Sequence, residues 1–106
     1  MRYLGRISGN GLLTRDGEPV GRASYDFDGF AAPRGGVVSS GEIQLSPADL
    51  ETVFGWRGVR LLTDDGRLLD LKFSDKILPT ASDVAHVDVT GDLPETPALW
   101  RRRAAS

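Results

Sequence analysis

His86 is the single histidine of the chain. On a β-strand it shares a face with Asp88, two residues on, with alpha carbons about 7 Å apart. A carboxylate at that distance can tune an imidazole for general-base work. No nucleophile is assigned beside it, because neither Ser8 nor Ser39-Ser40 sits in a Gly-x-Ser-x-Gly elbow. Asp26 and Asp28 form a second pair on one strand face. A hydrolytic carboxylate pair needs one member held at a raised pKa. An arginine opposite Asp26 would do the reverse, and the later acidic ligands of a calcium loop are missing. These acids read as solvent-facing strand residues.

Three further segments could bind rather than react. Gly9-Asn10-Gly11 begins like a dinucleotide motif, but Leu12, Leu13 and Thr14 follow in place of the third glycine. Arg34-Gly35-Gly36 could form a backbone nest for an anion, with Arg34 as counter-charge. The lysine and helix of a phosphate loop do not follow, so the segment reads as a flexible connection. Leu99-Trp100-Arg101-Arg102-Arg103 has the most unusual composition. An aromatic beside three arginines attracts acidic surfaces by charge and stacking, although three exposed charges attract weakly at physiological salt. Trp56-Arg57 reads as a core or rim aromatic beside an exposed charge.

The elements that position these residues follow from two short polar loops, Arg15-Asp16-Gly17 and Asp64-Asp65-Gly66, each between alternating apolar segments. A terminal glycine supplies the left-handed backbone that closes a hairpin. At the second loop, a two-residue turn would set Leu61 against Asp70 and mix charged with apolar side chains on both faces. A three-residue loop sets Leu61 against Leu69, Val59 against Leu71, and Arg60 against Asp70 on the other face. A one-residue slip turns every side chain over, so the pattern selects the longer loop. The same argument predicts a three-residue loop at Arg15-Asp16-Gly17. It places Ile7, Leu13, Ala23, Tyr25 and Phe27 on one face and Arg6 opposite Asp26, with Gly9-Asn10-Gly11 as the place where a bulge would disturb the register.

Strands are predicted at 4–14, 18–30, 37–45, 57–63, 67–74 and 83–90. A short helix near 46–54 interrupts them: Ser46 is a good N-cap, Pro47 fits the first turn, Asp49 completes a capping box and Gly55 ends it. The fold class is therefore all-β, mainly antiparallel, with about six strands forming a small barrel or rolled sheet. Residues 1–91 read as one domain, and 92–106 as a flexible tail without periodicity. The expected core includes Ile43, Leu45, Leu50, Phe54, Leu61, Leu69, Leu71, Phe73, Val87 and Val89.

Composition sets the function classes. The 106 residues contain no cysteine, which rules out a disulfide framework and a zinc–thiolate site. Three of the 13 basic residues form the terminal arginine run, downstream of all 15 acidic ones. An acidic body disfavours nucleic acid as a partner. No stretch approaches the roughly 20 apolar residues of a membrane span, and Met1–Arg6 lacks the apolar run of a signal peptide. The expectation is a non-catalytic binding or interaction module of a bacterial cytoplasm, using neither cofactor nor metal. Its partner would be a protein or a small ligand, with homo-oligomers forming through sheet edges. One alternative is a ligand-binding barrel or enzyme using His86, Asp88 and nearby carboxylates. Another is an accessory protein gripping acidic partners through the Trp100, Arg101, Arg102 and Arg103 tail. A filled interior with an exposed apolar patch would favour a protein partner, and an enclosed apolar cavity would favour a ligand.

Overall fold

The alternation of apolar and polar residues becomes six antiparallel strands in a computed structural model that describes residues 2–94 and Trp100. They are β1 (Arg2–Arg15), β2 (Glu18–Ala31), β3 (Val37–Gln44), β4 (Val59–Thr63), β5 (Leu68–Phe73) and β6 (Val84–Gly91), with helix α1 (Pro47–Val53) between β3 and β4. The strands close into a barrel in the order β1-β2-β3-β6-β5-β4. Among the described residues every strand bonds to two others, which closes the sheet on itself.

The β4–β5 hairpin has the register expected from its pattern. Leu61 faces Leu69, Val59 faces Leu71 and Arg60 faces Asp70. Gly66 closes the three-residue loop at φ +92°. A Gly66→Val exchange forces a branched side chain into that left-handed region and should cost about 1–2 kcal/mol. Thermal unfolding reads the loss, and an unchanged Tm would contradict the loop geometry.

The β1–β2 hairpin differs from expectation. Arg15 pairs with Glu18, leaving a two-residue turn of Asp16 (φ 51°) and Gly17 (φ 85°), both left-handed. Such a turn matches the right-handed twist of its strands. Alone it would put the wrong face inward. The correction comes at once, because the register shifts between Thr14↔Pro19 and Leu13↔Gly21 and leaves Val20 as an extra residue. Turn and bulge together restore the inward set of Leu13, Ala23, Tyr25 and Phe27, with Ile7 only partly buried against it, and each cross-strand partner lies two positions from the expected one. Pro19, which cannot donate to a ladder, sits beside this bulge. Gly9-Asn10-Gly11 holds its register; the second shift lies between Tyr3 and Gly5 and accompanies the burial of Leu4.

Alternate residues of every strand fill the barrel. Leu13, Phe27, Ile43, Leu61, Leu69 and Val87 are fully enclosed. At the β1–β2 turn end, α1 adds Leu50 and Val53 to the same core, each contributing roughly 1.5–3 kcal/mol of burial. The helix starts as its sequence dictates: Ser46 Oγ accepts from Asp49 N–H at 3.2 Å, Pro47 opens the first turn, and Gly55 follows the last at φ 78°. Phe54 and Phe73 are only half-buried, and their rings meet at 5.1 Å.

The opposite end holds the largest difference from the sequence reading. Of the tail expected after residue 91, residues 92–94 and Trp100 are described. Leu93 and Trp100 belong to the core, with Trp100 at 2% exposure and its Nε1–H donating to the Pro94 carbonyl at 2.9 Å. Gly29 makes the room. It continues the inward series Ala23, Tyr25 and Phe27, pairs with Gly5, and a Cβ on it would overlap the indole. Two glycines facing each other leave a hole in the barrel lining, and Trp100 fills it.

Candidate functional site

His86 lies on the outward face of β6, as its alternation requires, but Asp88 is not its partner. Its Nε2 is 3.0 Å from Glu42 Oε2 on β3, and its Nδ1 is 3.3 Å from Asp75 Oδ2 on the β5–β6 connection. The cross-strand pairing Glu42↔His86 brings in the first carboxylate, while Asp88 sits opposite Ser40 and Lys72. The two carboxylates meet opposite nitrogens of the ring, so they do not converge on a common ion. Among the described residues no group of three histidine or acidic side chains is arranged to hold a metal. The cluster instead ties the β5–β6 connection to the barrel wall, since the backbone N–H of His86 also donates to Asp75 at 3.0 Å.

That backbone donor is the main reason the Asp75 carboxyl ionises below the usual carboxylate range, with the His86 ring adding to it. Asp64 is lowered as well, chiefly by its hydrogen bonds from Arg22. A carboxyl whose pKa is lower folded than unfolded contributes stability that is complete at neutral pH. The contribution is lost as pH falls through the folded-state value. The Tm of an Asp75→Asn variant should therefore fall less steeply with acid than that of the parent, over the range from about pH 5 to pH 2. Parallel curves would contradict the clasp.

The other candidates are scattered. Asp26 and Asp28 share Arg6, whose Nε lies 3.0 and 3.6 Å from their Oδ1 atoms. Arg6 is in register with Asp28 and reaches Asp26 diagonally. Both acids are engaged by one guanidinium, so neither stands free to meet a substrate as an acid or a base. Arg34 is exposed in the β2–β3 turn. There Gly35 and Gly36 line a depression of about 460 Å³ at the barrel end together with Arg2, Leu4, Val37 and Thr90. Trp100 is buried, and Arg101, Arg102 and Arg103 lie outside the described residues.

What the structure does bring together is an apolar row on the outside of the barrel. Leu12 on β1 pairs with Leu62 on β4, and Leu62 pairs with Leu68 on β5. Leu12 is half-buried, Leu62 is 44% exposed and Leu68 is 43% exposed. Arg22 grips Asp64 with two bonds of 2.8 and 2.7 Å on one side of the row. Arg60 pairs with Asp70 at 2.9 Å on the other. Single exposed leucines are ordinary on any protein, but three in register form a patch. The row Tyr3–Phe30–Val38 on β1, β2 and β3 is different. Its two rings lie 5.4 Å apart, the Tyr3 hydroxyl donates to Asp28, and only Val38 is substantially exposed.

The patch continues toward the α1 end of the barrel. A shallow depression lined by Thr14, Asp16, Arg60 and Leu68 shares Asp16 with a second one lined by Phe54, Trp56 and Arg57. Trp56 is 55% exposed. Its backbone N–H donates to Val53 O at 3.0 Å, and the Arg15 guanidinium carbon stands 4.5 Å from the ring centroid. Asp16 N–H donates to Gly58 O at 3.0 Å, fastening the β1–β2 turn to this loop. The pattern at Arg60–Asp70 already places Leu62 and Leu68 outward. The contribution of Leu12 depends on closure of β1 onto β4, which no local signal announces. No family model matches the chain, and neither a curated protein nor a solved structure gives a match.

Proposed function

We propose that this chain is a non-catalytic interaction module that binds a protein partner on the outer face of β1, β4 and β5. The observation that carries the reading is the in-register row Leu12–Leu62–Leu68, left exposed on a barrel whose interior is already filled by its own side chains. An apolar centre bounded by ion pairs, with a tryptophan and arginines close by, has the composition of an interface core and rim. The absence of cysteine from the sequence suits a reducing bacterial cytoplasm, which is the compartment we assign. A photo-cross-linking residue at position 62, in cells that make the protein natively, should give an adduct of discrete mass. The same residue at exposed Glu51 on α1 should not give it. Equal labelling at both positions, or none at 62, would contradict the reading.

A further inference from the structure

We infer that the Trp56 depression takes an acidic peptide segment of the partner, with an apolar side chain against the indole and a carboxylate between Arg15 and Arg57. This rests on the interaction reading above and extends it to the chemistry of the partner. The argument starts from the pairing of charges. Arg6, Arg22, Arg60 and Arg67 each have a carboxylate within ion-pair distance. Among the described residues Arg2, Arg15, Arg34 and Arg57 have none, and of these Arg15 and Arg57 stand beside the exposed Trp56. Arg15 gives one hydrogen bond, from Nη1 to the neutral Thr52 carbonyl at 2.9 Å, so its charge is uncompensated. Arg57 is exposed and lines the same depression as Trp56.

The stacking of Arg15 on Trp56 adds direction to that charge. With Nη1 held by the Thr52 carbonyl, the Nε–Nη2 edge of the guanidinium over the ring carries the paired donors that match a carboxylate. The indole and Phe54 supply the apolar floor, and tryptophan and arginine are both enriched among the residues that anchor interfaces. The spacing of the remaining acids selects among anions. Asp16 lines the depression, and Asp70 borders the adjoining leucine row. A continuous phosphate strand would bring charge after charge past these acids. A peptide places its carboxylate where the arginines are and an apolar residue elsewhere, so the arrangement favours a peptide over a nucleic acid.

The probe is a blocked hexapeptide, Ac-Glu-Asp-Leu-Phe-Asp-Glu-amide, titrated into the full chain and followed by the Trp56 indole N–H resonance. The expected result is a saturating shift, with affinity about tenfold above that of the Gln/Asn isostere of the same peptide. That affinity should fall severalfold as salt rises from about 0.1 to 0.5 M, because exposed charge pairs are screened. Arg15→Gln and Arg57→Gln should each lower the affinity, and unchanged amide spectra away from the depression show that the variants are folded. Equal binding of the isostere, tighter binding of an oligothymidylate at this resonance, or no shift at millimolar peptide would overturn the inference. The cross-link from position 62 separates the two proposals. If position 62 still cross-links in the parent chain while the peptide gives no shift of the Trp56 resonance in that same chain, the interaction module stands and the acidic-segment reading falls.

Discussion

A Trp100→Ala chain is expected to lose about 3–5 kcal/mol of stability, the usual cost of deleting a large enclosed aromatic. For a domain of this size that lowers Tm by more than about 10 °C. The indole is 2% exposed, lies over Gly29 and is held by its bond to the Pro94 carbonyl. Removing it opens the end of the barrel where the Gly5–Gly29 pair supplies no side chain. Gly29→Ala tests the same seat from the other side. The added methyl would occupy the space of the ring, so the indole must shift and its near-ultraviolet circular dichroism must weaken. A Trp100→Ala chain that melts with the parent would show that the barrel end closes without it.

Phe27→Ala is the second large effect, again about 3–5 kcal/mol. Phe27 is fully buried at the middle of β2, opposite Ile7 and Gly41, with the Tyr25 ring 5.1 Å away. The Cβ of a residue at Gly41 would run into the β2 backbone at Asp26 and Phe27. The two strands are therefore too close there for a backbone shift to fill the void. Leu62→Ala on the outer wall is the control, and as a surface change it should cost under about 1 kcal/mol. Comparable losses at the two positions would contradict the assignment of inside and outside.

Much of this fold could be read from residue order because charge and apolarity alternate cleanly. Arg60 and Asp70 settle the β4–β5 register, and Ser46, Pro47 and Asp49 mark the start of α1. The first hairpin was half legible. Its inward set was right, yet its turn is one residue shorter than expected, because the bulge at Val20 compensates for the turn. A compensating pair leaves the face pattern unchanged and so leaves no trace in it. Trp100 was illegible for a different reason. Its place depends on two inward glycines, Gly5 and Gly29, which meet only after that register is known. A hole in a lining followed by an unassigned tryptophan is the signal that would have found it. The candidate surface was partly visible through Leu62 and Leu68. The partners of His86 come from other elements, and strand alternation does not carry that information.

The central claim is that the outer leucines serve binding and contribute little to stability. Its most direct measurement is the adduct yield from a cross-linker at position 62 in the Leu68→Asp chain, read beside the Tm of the same chain. Leu68 is 43% exposed and faces away from the core, so its Tm should stay within a few degrees of the parent, an effect of about 0.5 kcal/mol. The adduct should disappear, because a carboxylate would be placed unpaired at the centre of the interface. An adduct retained at parental yield in a stably folded Leu68→Asp chain would contradict the account.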